Sequence, residues 1–69
     1  MNLRKIRRYR DIDQADLARQ VGVSPSTFAG IERGERDPKF SVALKIAELL
    51  GVTIDELTGR KPPEGLLRE

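Results

Sequence analysis

At 69 residues the chain has room for one domain. A core this small supplies roughly 3–5 kcal/mol, so well-capped helices or a partner subunit must add to it. Cysteine and histidine are both absent, which removes disulfides, thiolate nucleophiles, cysteine-based zinc clusters and the commonest general base and metal ligand. The net charge is +2, but it is unevenly spread. Residues 1–36 carry eight Lys/Arg against five Asp/Glu, giving +3, and residues 37–69 carry five against six, giving −1. The basic half would meet a polyanion, although Arg and Lys acting only as solvated helix formers would leave the same pattern. No apolar run approaches the roughly 20 residues that span a bilayer. Met1 leads straight into a charged segment with no apolar signal region, so a soluble cytoplasmic protein is expected, with no membrane partner.

The pattern predicts five short helices. The first spans residues 2–10, with Leu3, Ile6 and Tyr9 or Arg10 on its inner stripe. Arg4, Lys5 and Arg8 face water or a phosphate, and Arg7 lies on or beside the stripe. Ile12 anchors the first connection. Asp13 is placed to cap a second helix over 14–21, with Asp16 near the positive end of its dipole. Leu17, Ala18 and Val21 form that helix's apolar stripe. Gly22 stops it, because glycine takes a positive φ without strain, and Val23 returns to the core. Ser24 is a good N-cap and Pro25 suits a first helical position, opening a third helix over about 25–33 with Phe28 and Ile31 inward and a stop at Gly34.

The loop Glu35–Lys39 is polar, and Pro38 pushes Asp37 away from helical dihedrals. Phe40 is expected in the core. A fourth helix over 41–50 should bury Leu44, Ala47 and Leu50, flanked by Ile46, and end at Gly51. Thr53 and Glu56 read as a capping box for a short fifth helix that packs Leu57 inward. The breaker-rich stretch 58–63 should leave the domain. This divides the chain into a domain over 1–58 and a tail over 59–69, whose Leu66 and Leu67 either fray or dock on a second subunit.

Several pieces resemble one family in order and spacing: LRKIRR near the start, Gln14-Ala15-Asp16-Leu17-Ala18, Gly22-Val23-Ser24, Ile31-Glu32-Arg33-Gly34, Pro38, Leu44-Lys45-Ile46-Ala47, and Leu50-Gly51-Val52 leading to Asp55-Glu56-Leu57. Together they resemble the lambda-repressor/Cro-like, or XRE-type, helix-turn-helix proteins over about residues 2–58. The resemblance implies an all-α fold of five helices and a homodimer bound to double-stranded DNA. Each third helix would lie in a major groove, with the two recognition helices roughly 34 Å apart, a docking geometry for which these repressors are the worked example.

Carried over position by position, the base-facing residues are Pro25, Ser26, Thr27, Ala29 and Gly30. Contacts to phosphate fall to Gln14, Ser24, Arg33, Arg36 and Lys39. The arginine at position 7 would form a structural ion pair with Glu32. The reading face is bare: only Ser26 and Thr27 offer hydrogen bonds, and hydroxyls discriminate poorly because they both donate and accept. Ala29 offers a methyl contact to thymine. Gly30 costs roughly 1 kcal/mol of helix stability relative to alanine. It either admits a close backbone approach or is a tolerated defect. Asp13 also departs from the family, which often carries a neutral cap where the helix abuts a phosphate. The expected function is a small transcriptional regulator, a repressor above all. The bare face and Asp13 keep open an alternative, a protein-interaction or antitoxin-like module with the same fold. No catalytic residue, metal site, cofactor or small-molecule ligand is indicated. The carboxylates Asp11, Asp13 and Asp16 serve a helix start, and the glycines do not form a phosphate-cradling loop.

Overall fold

A computed structural model describes residues 1–59. Among these, five helices run in the order α1 (Leu3–Tyr9), α2 (Gln14–Val21), α3 (Pro25–Glu32), α4 (Phe40–Leu50) and α5 (Ile54–Thr58). The tail from 60 onward, with Leu66 and Leu67, lies outside the described residues. No helix among the described residues is long and apolar enough to cross a membrane.

One core joins all five helices. Leu3, Ile6, Leu17, Ala18, Phe28, Ile46 and Leu57 are fully buried, with Ile31, Ala47 and Leu50 nearly so. Ile12, Val21, Val23, Val42, Val52 and Ile54 close its margins. Side-chain caps set the starts of α2, α3 and α5. The Asp13 carboxylate accepts from the Ala15 N–H at 3.1 Å and caps α2. At α5 the Thr53 hydroxyl accepts from the Glu56 N–H at 3.1 Å while the Glu56 carboxylate accepts from the Thr53 N–H at 2.9 Å, a complete capping box. The chain ends of the domain are tied together by the Asn2 N–H, which donates to the Leu57 carbonyl at 2.9 Å.

The ends of α1 to α4 share one device. After α2, the Val23 N–H reaches the Ala18 carbonyl and the Gly22 N–H reaches that of Arg19, the paired bonds of a Schellman motif, with Gly22 left-handed at φ 80°. The same pair closes α1, where Ile12 bonds to Arg7 and Asp11 to Arg8. There the left-handed position is held by Asp11 at φ 60°, a residue with a Cβ.

Two expectations about α4 need correction. Phe40 is the first residue of the helix and is 72% exposed, and Leu44 is 41% exposed. The buried line is Ala43, Ile46, Ala47 and Leu50, an i, i+3, i+4, i+7 set. Leu44, Ala47 and Leu50, at i, i+3 and i+6, drift around the helix by comparison, and the small Ala43 fills the inward position that Leu44 was expected to take. At α1, Tyr9 is 40% exposed. Arg10 is also exposed, yet its Nε donates to the Leu50 carbonyl at 2.9 Å, satisfying the end of α4.

Candidate nucleic-acid interface

The turn between α2 and α3 is four residues from its left-handed glycine to the first residue of α3. The Gly22 turn leads into Ser24, whose extended backbone and hydroxyl start α3: the Ser24 Oγ accepts from the Thr27 N–H at 3.2 Å and donates to the Thr27 Oγ at 2.8 Å. Pro25 occupies the first turn, where a missing N–H costs nothing. Phe28, Ile31 and Glu32 face inward and are buried. Pro25 and Ser26 stand exposed, and Thr27 and Ala29 are half-buried. Gly30 is buried, unlike the other residues named for the outer face.

Glu32 is the anchor of this region. Its side chain is fully buried, and the Arg7 side chain is only 11% exposed. Arg7 donates through Nε and Nη2 to the two carboxylate oxygens, and through Nη1 to the Ile12 carbonyl at 2.7 Å. Gln14 Nε2 donates to the same carboxylate at 2.8 Å, and Arg4 Nε stands 3.6 Å from it. Burial by itself would push the Glu32 carboxyl up. The hydrogen bonds from Arg7 and Gln14 and the charges of Arg7 and Arg4 outweigh it and hold the group below its ordinary value. The cluster therefore joins α1, the start of α2 and the end of α3 through one carboxylate.

The remaining positions named from the sequence divide by what holds them. Gln14 is half-buried and tethered to Glu32, with one amide proton still to give. Arg33 is exposed and forks onto Glu35, at 2.8 and 3.1 Å. The hydrogen bond and charge of Glu35 raise its pKa, and Arg33 in turn lowers that of Glu35. Lys39 is exposed at the start of α4, where its side chain makes no capping bond. Arg36 lies against Gly30: a Cβ built there would stand 3.2 Å from Arg36 Cδ and 3.3 Å from its Cγ. The ties from Gln14 and Arg4 to Glu32, and the packing of Arg36 on Gly30, are not legible in spacing alone. A polar residue at the head of α2 beside a glutamate that pairs with Arg7 is the signal that pointed nearest to the first. Among the described residues no cluster of three or more acidic side chains is placed to hold a metal ion.

The comparisons with known proteins agree with this architecture. A helix-turn-helix family model matches residues 3–57. An uncharacterized HTH-type transcriptional regulator of Methanocaldococcus jannaschii is 41% identical over 56 residues, covering 77% of this chain and 85% of that protein. The transcriptional repressor RstR of the cryptic phage CTXphi, from Vibrio cholerae, is 36% identical over 55 residues, covering 80% of this chain but 50% of RstR. The HTH-type transcriptional regulator AnsR of Bacillus subtilis is 43% identical over 47 residues, 68% of this chain and 38% of AnsR. The chain thus spans half or less of the length of these last two relatives. With two capped helices joined at Gly22, a buried Arg7–Glu32 pair and a family match across nearly the whole described chain, the protein belongs to the lambda-repressor/Cro-like (XRE-type) helix-turn-helix family.

Proposed function

We propose that the protein is a small transcriptional regulator of the cytoplasm, above all a repressor, that binds double-stranded DNA sequence-specifically as a homodimer with α3 in the major groove. The observation that carries this reading is the pose of α3. Its inner side is fixed by Phe28, Ile31 and the Glu32 cluster, while Pro25 and Ser26 stay open at its N-terminal end, the part of a recognition helix that meets base edges. The relatives' names as transcriptional regulators favour this over an interaction or antitoxin-like module.

In this reading Ser26 and Thr27 offer hydroxyls to base edges, and Pro25 and Ala29 offer apolar contact, with Ala29 suited to a thymine methyl. Gln14, Ser24, Arg33 and Lys39 take phosphate oxygens, which set register rather than sequence. Binding of Arg33 to phosphate requires it to leave its exposed partner Glu35, and an exposed pair of this kind resists little.

Fluorescence anisotropy with labelled duplex across a salt series tests the reading. Affinity should fall linearly with salt on a logarithmic plot, and Lys39→Ala should flatten that slope by about 0.9 while weakening all duplexes alike. Absence of duplex binding at low salt by folded protein would refute it.

A further inference from the structure

Arg36 lies across the outward face of the recognition helix, in the place of the side chain that Gly30 lacks. At about 100° per residue, the arc of α3 opposite Phe28, Ile31 and Glu32 belongs to Ser26, Gly30 and Arg33. Gly30 sits on that outward arc and is nevertheless buried. What covers it is the Arg36 stem, whose Cδ and Cγ would stand 3.2 and 3.3 Å from a Cβ at position 30.

The backbone enforces this return. After α3 the chain takes a left-handed step at Gly34, φ 79°. The N–H groups of Glu35 and Arg36 then both donate to the Gly30 carbonyl, at 2.9 and 3.3 Å. This brings position 36 back beside position 30, and the missing Cβ leaves the seat for its methylenes. The two neighbouring arginines differ in what their charged ends do. Arg33 is forked onto Glu35. The Arg36 guanidinium makes no hydrogen bond or close ion pair among the described residues, and its charge acts on Glu35 only at longer range, helping to lower that carboxyl. Its stem is packed while its donors are unspent, so a fork of N–H groups is presented at the face that would otherwise be nearly bare.

We propose that Arg36 is the principal base reader of this protein, taking the O6 and N7 acceptors of a guanine in the major groove, in place of the phosphate contact that its position in the loop suggests. The inference rests on the DNA-binding reading above and deepens it. A guanidinium matches the two guanine acceptors with two parallel N–H bonds, the commonest specific contact in that groove. Seating the stem on a helix also lowers the conformational freedom lost when the fork engages. Gly30, a defect in terms of helix propensity, is then the residue that aims the reader.

The test compares selected binding motifs of the wild-type chain, Arg36→Ala and Gly30→Leu, each first shown to be folded by its thermal melt. Leucine is a strong helix former and would occupy the seat of the Arg36 stem. The wild type should select a motif containing a guanine in each half-site. Arg36→Ala should lower discrimination at that base pair roughly 5- to 150-fold, leave the other positions unchanged, and leave the salt slope unchanged. Gly30→Leu should lose preference at the same base pair. If Arg36→Ala weakens all sequences alike and flattens the salt slope by about 0.9, Arg36 is a phosphate contact and the proposal fails while sequence-specific binding stands. An unaltered guanine preference in Gly30→Leu would equally overturn it. If the wild type itself selects no motif, the broader reading of sequence-specific binding fails, and this one with it.

Discussion

Glu32→Ala removes at once the acceptor for Arg7 and Gln14 and the ion partner of Arg4. Arg7 would keep only its bond to the Ile12 carbonyl, and the Gln14 amide and Arg4 would lose their carboxylate partner. Breaking a buried ion pair costs about 3–5 kcal/mol, because the surviving charge stays out of water without its partner. The Arg7 side chain retains 11% exposure and one carbonyl acceptor, which places the loss at the lower end, about 3 kcal/mol. In a domain of this size each kcal/mol moves Tm by about 4–8 °C, so the melting temperature should fall by about 12–24 °C. A core worth only roughly 3–5 kcal/mol would leave the variant barely folded at room temperature. Thermal melts followed by far-ultraviolet circular dichroism, with urea titrations at low temperature, measure this. The double variant Arg7→Met/Glu32→Leu should recover most of the loss, since well-packed apolar residues replace a buried pair at little cost. A shift under about 4 °C for Glu32→Ala, less than about 1 kcal/mol, would refute the claim that this carboxylate holds the three helices together.

Two further predictions concern pH and backbone strain. The folded state holds the Glu32 carboxyl below its ordinary value, so its contribution to stability is fully present above the unfolded pKa, about 4.3, and is lost as pH falls through the lower folded value. Melts taken from pH 7 downward should therefore show Tm steady to about pH 5 and falling below it. In Glu32→Gln that fall should be shallower, and an equally steep fall would assign it to other carboxylates. Asp11→Gly should raise Tm, because Asp11 holds φ 60° at the end of α1 and a left-handed residue with a Cβ costs about 1 kcal/mol more than glycine. A lower Tm would mean that the Asp11 side chain contributes more than its backbone costs.

How much of this was legible in the sequence depends on the range of the interaction. The helix starts and stops were readable because their causes lie within a few residues: Ser24 before Pro25, Gly22 after Val21, Thr53 three residues before Glu56. The Arg7–Glu32 pair came from family resemblance, since nothing local to either residue announces a partner 25 positions away. Phe40 and Leu44 were misplaced because α4 is rich in apolar residues on more than one face. Periodicity alone then left the register ambiguous, and packing chose the line through Ala43 and Ile46. Gly30 was read as either a close-approach site or a defect. In the structure the Arg36 stem packs against it, reaching it through the reversal at Gly34. The ties from Gln14 and Arg4 to Glu32 are not legible in the sequence for the same reason, being set by how helices pack rather than by spacing along one of them.

Selection of the wild-type chain from a randomised duplex library at about 150 mM salt, followed by sequencing, tests the central claim most directly. The account predicts a two-fold symmetric motif whose half-site centres lie about 10–10.5 base pairs apart, one helical turn, as two recognition helices roughly 34 Å apart require. A pool that stays random, selected by protein that is folded and monodisperse, would contradict it.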